Sequence, residues 1–78
     1  MAKLILLGPA HDAAGRRDDL FDETTLEDVL KEAVNRYGAD FGALLQSSQV
    51  WINGEPAAPS TRLEPHDEIM VLPPVSGG

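Results

Sequence analysis

The sequence closes on Leu72-Pro73-Pro74-Val75-Ser76-Gly77-Gly78, and the group there with the clearest chemistry is the carboxylate of Gly78. A free α-carboxylate is ionised at neutral pH, and it is a poor electrophile until something activates it. Gly77 and Gly78 carry no Cβ, so this backbone can enter a channel too narrow for other residues. Pro73 and Pro74 fix φ and favour extended geometry, so the segment should project rather than fold back as a helix. The six residues from Pro73 onward reach at most roughly 20 Å. The expected use is a carboxyl terminus threaded into another protein's active site. The plainer alternative is a frayed chain end.

The other candidates for chemistry are thin. His11-Asp12 and His66-Asp67 are adjacent pairs in loop-like sequence, and neither has the spacing of a metal site. Ser76 has no identifiable base or orienting partner, so a small residue in a threading tail explains it better than a nucleophile. There is no cysteine, which excludes disulfides, thiolate metal sites and cysteine nucleophiles. Sulfur otherwise occurs only in Met1 and Met70. No bound metal or cofactor is expected.

Composition narrows the class. A chain of 78 residues supports one small core and one domain. A hydrophobic content of 42% is too high for a disordered chain. Thirteen acids against six bases give a formal charge of −7, which argues against nucleic acid and anionic membranes and for a partner with a basic contact surface. The acids themselves read as a solvated face. Leu4 to Leu7 is too short for a signal peptide or a membrane span and meets Gly8-Pro9 at once. A cytoplasmic protein is expected.

The elements that must position the tail follow from periodicity. Ala2 to Leu7 predicts a first strand, Ala10 to Gly15 a loop, and Arg17 to Phe21 a more polar returning strand, with helix as the competing form of that last piece. Thr24 and Glu27 fit a capping box, and Leu26, Val29, Leu30, Ala33, Val34 and Tyr37 form one apolar stripe on the helix that follows. Gly38 is expected to stop that helix in the αL conformation. Asp40 to Leu45 predicts a short helical turn in which Phe41 and Leu44 or Leu45 plug the core. Gln49 to Asn53 predicts a strand, Asn53-Gly54 a hairpin turn, and Glu55 to Ala58 a short edge strand carrying Pro56. A loop pinned by Leu63 leads to a last strand, Glu68 to Leu72. A right-handed crossover then sets the first and last strands side by side in the centre. The expectation is an α+β chain with the β-grasp fold, a mixed sheet of about five strands covered by one main helix. Residues 1–72 would form the domain and 73–78 the extended tail.

One helix leaves one sheet face uncovered. Leu4 and Leu6 alternate with Ile5 and Leu7, Trp51 lies between Val50 and Ile52, and Met70 and Leu72 alternate with Ile69 and Val71. One parity of each strand must face outward, and an open apolar patch marks a partner surface. Trp51, Met70 and Leu72 are the candidate anchors. Trp51 as an ordinary core residue stands as the equal alternative.

The stretch from Asp67 to Gly78 resembles the end of the MoaD/ThiS sulfur-carrier proteins, specifically the MoaD branch. That branch ends in an acidic pair, a hydrophobic strand and Pro-Pro-Val-x-Gly-Gly. The resemblance runs over essentially the whole chain, through Ala13-Ala14-Gly15-Arg16-Arg17, Thr25-Leu26, Arg36-Tyr37-Gly38 and Val50-Trp51-Ile52-Asn53-Gly54-Glu55. His66 departs from the family, which has Gly before the acidic pair, and this puts the backbone of that turn in question. The resemblance implies that Gly78 is adenylated with ATP by a MoeB-like adenylyltransferase and converted to a thiocarboxylate. It implies delivery of sulfur to cyclic pyranopterin monophosphate inside a MoaE-like large subunit, in a heterotetramer. Gly77 and Gly78 would then be the reacting residues, guided by Pro73, Pro74, Val75 and Ser76. Sulfur delivery to thiazole, cysteine or tRNA, and protein modification through an isopeptide bond from Gly78, are the alternatives.

Overall fold

The computed structural model describes residues 1–74. Eight elements follow in order: β1 (Ala2–Leu6), α1 (Pro9–Ala14), β2 (Asp18–Phe21), α2 (Leu26–Tyr37), α3 (Ala39–Gln46), β3 (Gln49–Ile52), β4 (Glu55–Pro56) and β5 (Glu68–Leu72). They build one five-stranded sheet in the order β2-β1-β5-β3-β4. β1 and β5 run parallel at its centre, and the remaining pairs are antiparallel. This is the β-grasp fold, with β2 in strand form as the first hairpin requires.

Alternation along the strands decides which face meets the helices. Ala2, Leu4 and Leu6 of β1 and Ile69 and Val71 of β5 are buried, and the residues between them are not. Phe21 from β2, Leu26, Val29 and Ala33 from α2, and Phe41 from α3 complete the core. The Tyr37 and Phe41 rings meet edge to face with centroids 5.1 Å apart. Leu63 packs against this core from its loop, and its N–H donates to the Thr24 carbonyl at 2.8 Å.

Four local expectations need correction. The segment Ala10 to Gly15 is not a loop: Pro9 opens a short helix, Ala10 is fully buried beneath it, and Gly15 closes it at φ 77° in αL. The turn at Asp40 is a two-turn helix, α3, which packs on both α1 and α2. α2 is the main helix on the sheet, as expected, and the shorter α1 and α3 pack beside it. Gly38 ends α2 at φ 103° and ψ −174°, which is not αL, and the chain enters α3 directly.

The start of α2 is the fourth. The N-cap is Thr25, whose Oγ1 accepts from the Asp28 N–H at 3.3 Å, and not Thr24 in a box with Glu27. The remaining free donors of the first turn are met by distant backbone. Leu26 N–H donates to the Thr61 carbonyl at 2.9 Å and Glu27 N–H to the Pro59 carbonyl at 2.8 Å. The loop before β5 therefore caps α2, and a Glu27 side chain is not needed there.

A charged hub ties α2 to β2. The Asp19 carboxylate accepts from Tyr37 Oη–H at 2.7 Å, from Arg36 Nη1 at 3.1 Å and from the Leu20 N–H at 2.9 Å, with Arg16 Nη1 at 3.4 Å. Burial alone would raise the Asp19 pKa, but these donors outweigh it and hold the group below its ordinary value of 3.8. Burial and the same carboxylate push the Tyr37 hydroxyl upward.

Two outcomes follow. Thr25→Ala should cost about 1 kcal/mol in urea unfolding, whereas Thr24→Ala should stay within about 0.5 kcal/mol of wild type. Because the Asp19 pKa is depressed on folding, its contribution is present above the ordinary carboxylate value and lost as pH falls through the folded one. The stability gap between wild type and Asp19→Asn, measured by urea unfolding, should therefore be full at neutral pH and close below about pH 4.

Candidate functional site

The site is built where β5 leaves the sheet. β5 lies between β1 and β3, so its backbone is hydrogen-bonded on both sides, with Val71 beside Leu6 and Leu72 beside Gln49. Its start is held as firmly as its end. Asp67 Oδ1 accepts from Asn53 Nδ2 at 2.8 Å, Asp67 Oδ2 accepts from the Glu64 N–H at 2.8 Å, and Asn53 Oδ1 accepts from the Glu68 N–H at 3.0 Å. Asn53 can do this because the Asn53-Gly54 turn has φ 52° and 86°, the paired positive values of a type I′ hairpin. Asn53 is the one non-glycine with positive φ among the described residues. The turn at His66 therefore demands no glycine, and the doubt raised by that substitution is removed.

The outward parity of the strands forms an apolar face. Register places Ile5 beside Met70 and Met70 beside Trp51 in one row across β1, β5 and β3. All three are half-buried, as is Leu72, and they point away from the side that holds Leu4, Ile69 and Val71. Val50 and Ile52 pack on the core and Trp51 does not, so Trp51 belongs to the open face. Its Nε1–H donates to Gln49 Oε1 at 3.2 Å, which lays the indole along the strand. Leu20, 51% exposed, and Leu7, 43% exposed, add to the apolar area.

Leu20, Ile5 and Leu7 were not among the candidates singled out from sequence. Their parity was readable for Ile5 and Leu7. For Leu20 the signal was masked by the acids around it, and only its pairing opposite Lys3 shows that it faces outward.

The tail begins at the edge of this face. Pro73 is half-buried and Pro74 exposed, and with Ser47, Gln49 and Leu72 they line a shallow groove. Val75, Ser76, Gly77 and Gly78 lie outside the described residues. The two His–Asp pairs are not brought together. His11 Nδ1 stands 3.9 Å from Asp12 Oδ1, beyond hydrogen-bond distance, and His66 is exposed in its turn. Among the described residues no group of three or more His, Asp and Glu is placed to hold a metal ion. No helix among them is long and apolar enough to cross a membrane. The described part of the chain thus offers a rigid strand, an apolar face and the root of a tail, with no assembled catalytic group.

Comparison with known proteins agrees with this geometry. A family model described as the ThiS family matches residues 4–78. SAMP1 from Haloferax volcanii is 30% identical, with 99% of this chain and 98% of that one covered and a TM-score of 0.77. The small archaeal modifier protein 1 from Methanosarcina acetivorans is 28% identical, with coverages of 99% and 95% and a TM-score of 0.86. A putative molybdopterin converting factor, subunit 1, from Pyrococcus furiosus is 19% identical, with coverages of 95% and 97% and a TM-score of 0.80, a likeness of fold. No curated protein matches the sequence significantly.

The two faces of β5 make a testable contrast. Ile69→Ala should cost about 2–5 kcal/mol, as a buried residue does. Met70→Ala and Trp51→Ala should each cost about 1 kcal/mol or less, the scale of a cross-strand pair. Urea unfolding of the three variants makes the comparison, and equal losses would return Trp51 to the core.

Proposed function

The chain belongs to the ThiS family of ubiquitin-like sulfur carriers, and we propose that it is the small subunit of a molybdopterin synthase, acting in the cytoplasm. The observation that carries the reading is the placement of Pro73 and Pro74 at the end of the central strand, beside the open face of Ile5, Met70, Trp51 and Leu72. Residues 1–72 serve as the docking domain and 73–78 as the tail that reaches the chemistry.

In this reading Gly78 carries the reacting carbon. A MoeB-like adenylyltransferase joins the Gly78 carboxylate to AMP from ATP and releases pyrophosphate. The terminal sulfur of a donor persulfide attacks the acyl carbon and AMP leaves. A thiol then reduces the resulting acyl disulfide, and a thiocarboxylate remains on Gly78. The cysteine-free chain gains in this way the nucleophile that its side chains lack. The open face docks on a MoaE-like large subunit in a heterotetramer, and the tail, guided by Pro73, Pro74, Val75 and Ser76, enters that subunit's active site. There the sulfur passes to cyclic pyranopterin monophosphate. The absence of a Cβ at Gly77 and Gly78 lets the backbone pass the channel. The catalytic side chains and the ATP site belong to the partners, and the chain itself binds no cofactor.

A second reading is favoured by the 30% identity to SAMP1, a small archaeal modifier protein. There Gly78 would form an isopeptide bond with a lysine of another protein. Intact-mass spectrometry of the chain purified from its host separates the two. A terminal oxygen replaced by sulfur supports the carrier, and lysine-linked adducts on other proteins support the modifier.

Deleting Gly78 should abolish the thiocarboxylate and the host's molybdoenzyme activity while leaving the unfolding midpoint unchanged. Molybdoenzyme activity retained with the truncated chain would refute the molybdopterin role. Loss of the thiocarboxylate with molybdoenzyme activity intact would move the sulfur to thiazole, cysteine or tRNA.

A further inference from the structure

The outer strands of the sheet are β2 and β4. An outer strand with free N–H and C=O groups is a template for another strand. β4 is only Glu55–Pro56, and Pro56 has no N–H to offer. β2, Asp18–Phe21, is the longer edge. Which of its backbone groups face outward follows from its pairing with β1. Leu6 N–H donates to the Arg17 carbonyl at 2.8 Å, so Leu6 and Arg17 form a hydrogen-bonded pair. Such pairs alternate along an antiparallel ladder. The backbone groups of Asp19, opposite Leu4, and Phe21, opposite Ala2, therefore turn in toward β1, and those of Asp18 and Leu20 turn out.

Most of the outward groups are already taken by side chains of the same chain. Leu20 N–H donates to Asp19 Oδ1 at 2.9 Å, and the Leu20 carbonyl accepts from Arg36 Nη1 at 3.0 Å. The Asp18 carbonyl accepts from Arg16 Nε at 3.0 Å. Arg36 reaches this edge from α2 and is held in place there. Its Nη1 also donates to Asp19 Oδ2 at 3.1 Å, its Nε donates to Glu32 Oε2 at 2.9 Å, and its guanidinium lies 4.1 Å over the Phe21 ring. The same stretch of edge carries the Leu20 side chain, which is 51% exposed.

We propose that Asp19, Arg36 and Arg16 close the outer edge of β2 and keep a second copy of the chain from pairing there. The edge itself specifies a second copy as the strand that is refused. Two β2 strands related by a two-fold axis at Leu20 run antiparallel, and each Leu20 N–H then meets the other Leu20 carbonyl. Those are the two groups that Asp19 and Arg36 occupy. This register sets Asp19 opposite Phe21 of the second copy rather than opposite another Asp19, and it brings the two exposed Leu20 side chains together. With the edge closed, pairing only exchanges two internal hydrogen bonds for two between copies, and nothing offsets the entropy lost on association. Leu20 lies on the open apolar face, so the closure leaves that face to other partners. The inference goes beyond both functional readings above and holds for a carrier and a modifier alike.

The test is sedimentation velocity of the full chain at neutral pH over a range of concentrations. Urea unfolding confirms that each variant is folded, and amide hydrogen exchange locates the contact. The Asp19→Ala/Arg36→Ala double variant frees both Leu20 groups and, losing one charge of each sign, keeps the formal net charge at −7. It should dimerise at least roughly tenfold more tightly than wild type, the scale of two hydrogen bonds gained, and its Leu20 amide should exchange more slowly as concentration rises. Arg36→Ala alone, at an exposed position, is the second variant and guards against a folding defect. It frees the Leu20 carbonyl and should associate in the same direction by a smaller factor. Tyr37→Phe takes a donor from Asp19 but leaves both Leu20 groups covered, and it should associate no more than wild type does. Folded Arg36 variants that associate no more than wild type overturn the proposal. So does association without slower exchange at Leu20, stronger association of Tyr37→Phe, or a wild-type chain that itself dimerises through β2.

Discussion

Everything else in this molecule depends on the parallel pairing of β1 with β5. It joins the first strand to the last and so closes the fold across the whole length of the chain. It also sets parity. Once Leu4 pairs with Ile69 and Leu6 with Val71 on the helix side, Ile5 and Met70 have no choice but to face outward together. A slip of one residue would send Ile69 and Val71 into solvent and bury Glu68. The register is therefore held by burial, and the open face exists because the core does. The Asp67–Asn53 exchange fixes the same register from the other side, by tying the start of β5 to the tip of the β3–β4 hairpin.

Much of this was legible in the residues. The α2 stripe from Leu26 to Tyr37, the Asn53-Gly54 turn and the alternation in β1 and β5 are local patterns, and local patterns predicted the sheet, its central pair and the face left open. What escaped was decided over distance. The cap of α2 moved from Thr24 to Thr25 because the carbonyls of Pro59 and Thr61 meet the donors that a box would have served. α1 is only six residues long and begins with Gly-Pro, so its sequence reads as a break. Its helical form is fixed by burial of Ala10 and by packing against α3. The outward face of Trp51 was undecidable from Val50-Trp51-Ile52 alone, since a run of three apolar residues has no parity until a neighbour supplies it. Leu20 shows the same limit in a polar strand.

The division of labour in the chain follows from its composition. It has no cysteine, its histidines are unpartnered by any catalytic group, and its strongest charge network, around Asp19 and Arg36, is spent on holding α2 to β2. Arg36 also lies 4.1 Å over the Phe21 ring, so that network stiffens the far edge of the sheet rather than opening a site. A protein so arranged gains function by what it presents. In the proposed reading, the sheet is the fixed part and the part given to others begins at Pro73.

In the proposed reading, presentation of the tail places a demand that the fold meets through shape. A tail of six residues delivered from a fixed root can reach any point within about 20 Å unless the body is oriented, and most of those points are useless. The apolar row of Ile5, Met70 and Trp51 runs across the strands and supplies contact area. Such a row resists sliding poorly, because apolar contact is non-directional. The orientation comes instead from the strands beneath, because β1, β5 and β3 are paired side by side and hold the three side chains at fixed spacing. The pairing that closes the fold is thus also what aims the root of the tail at Pro73.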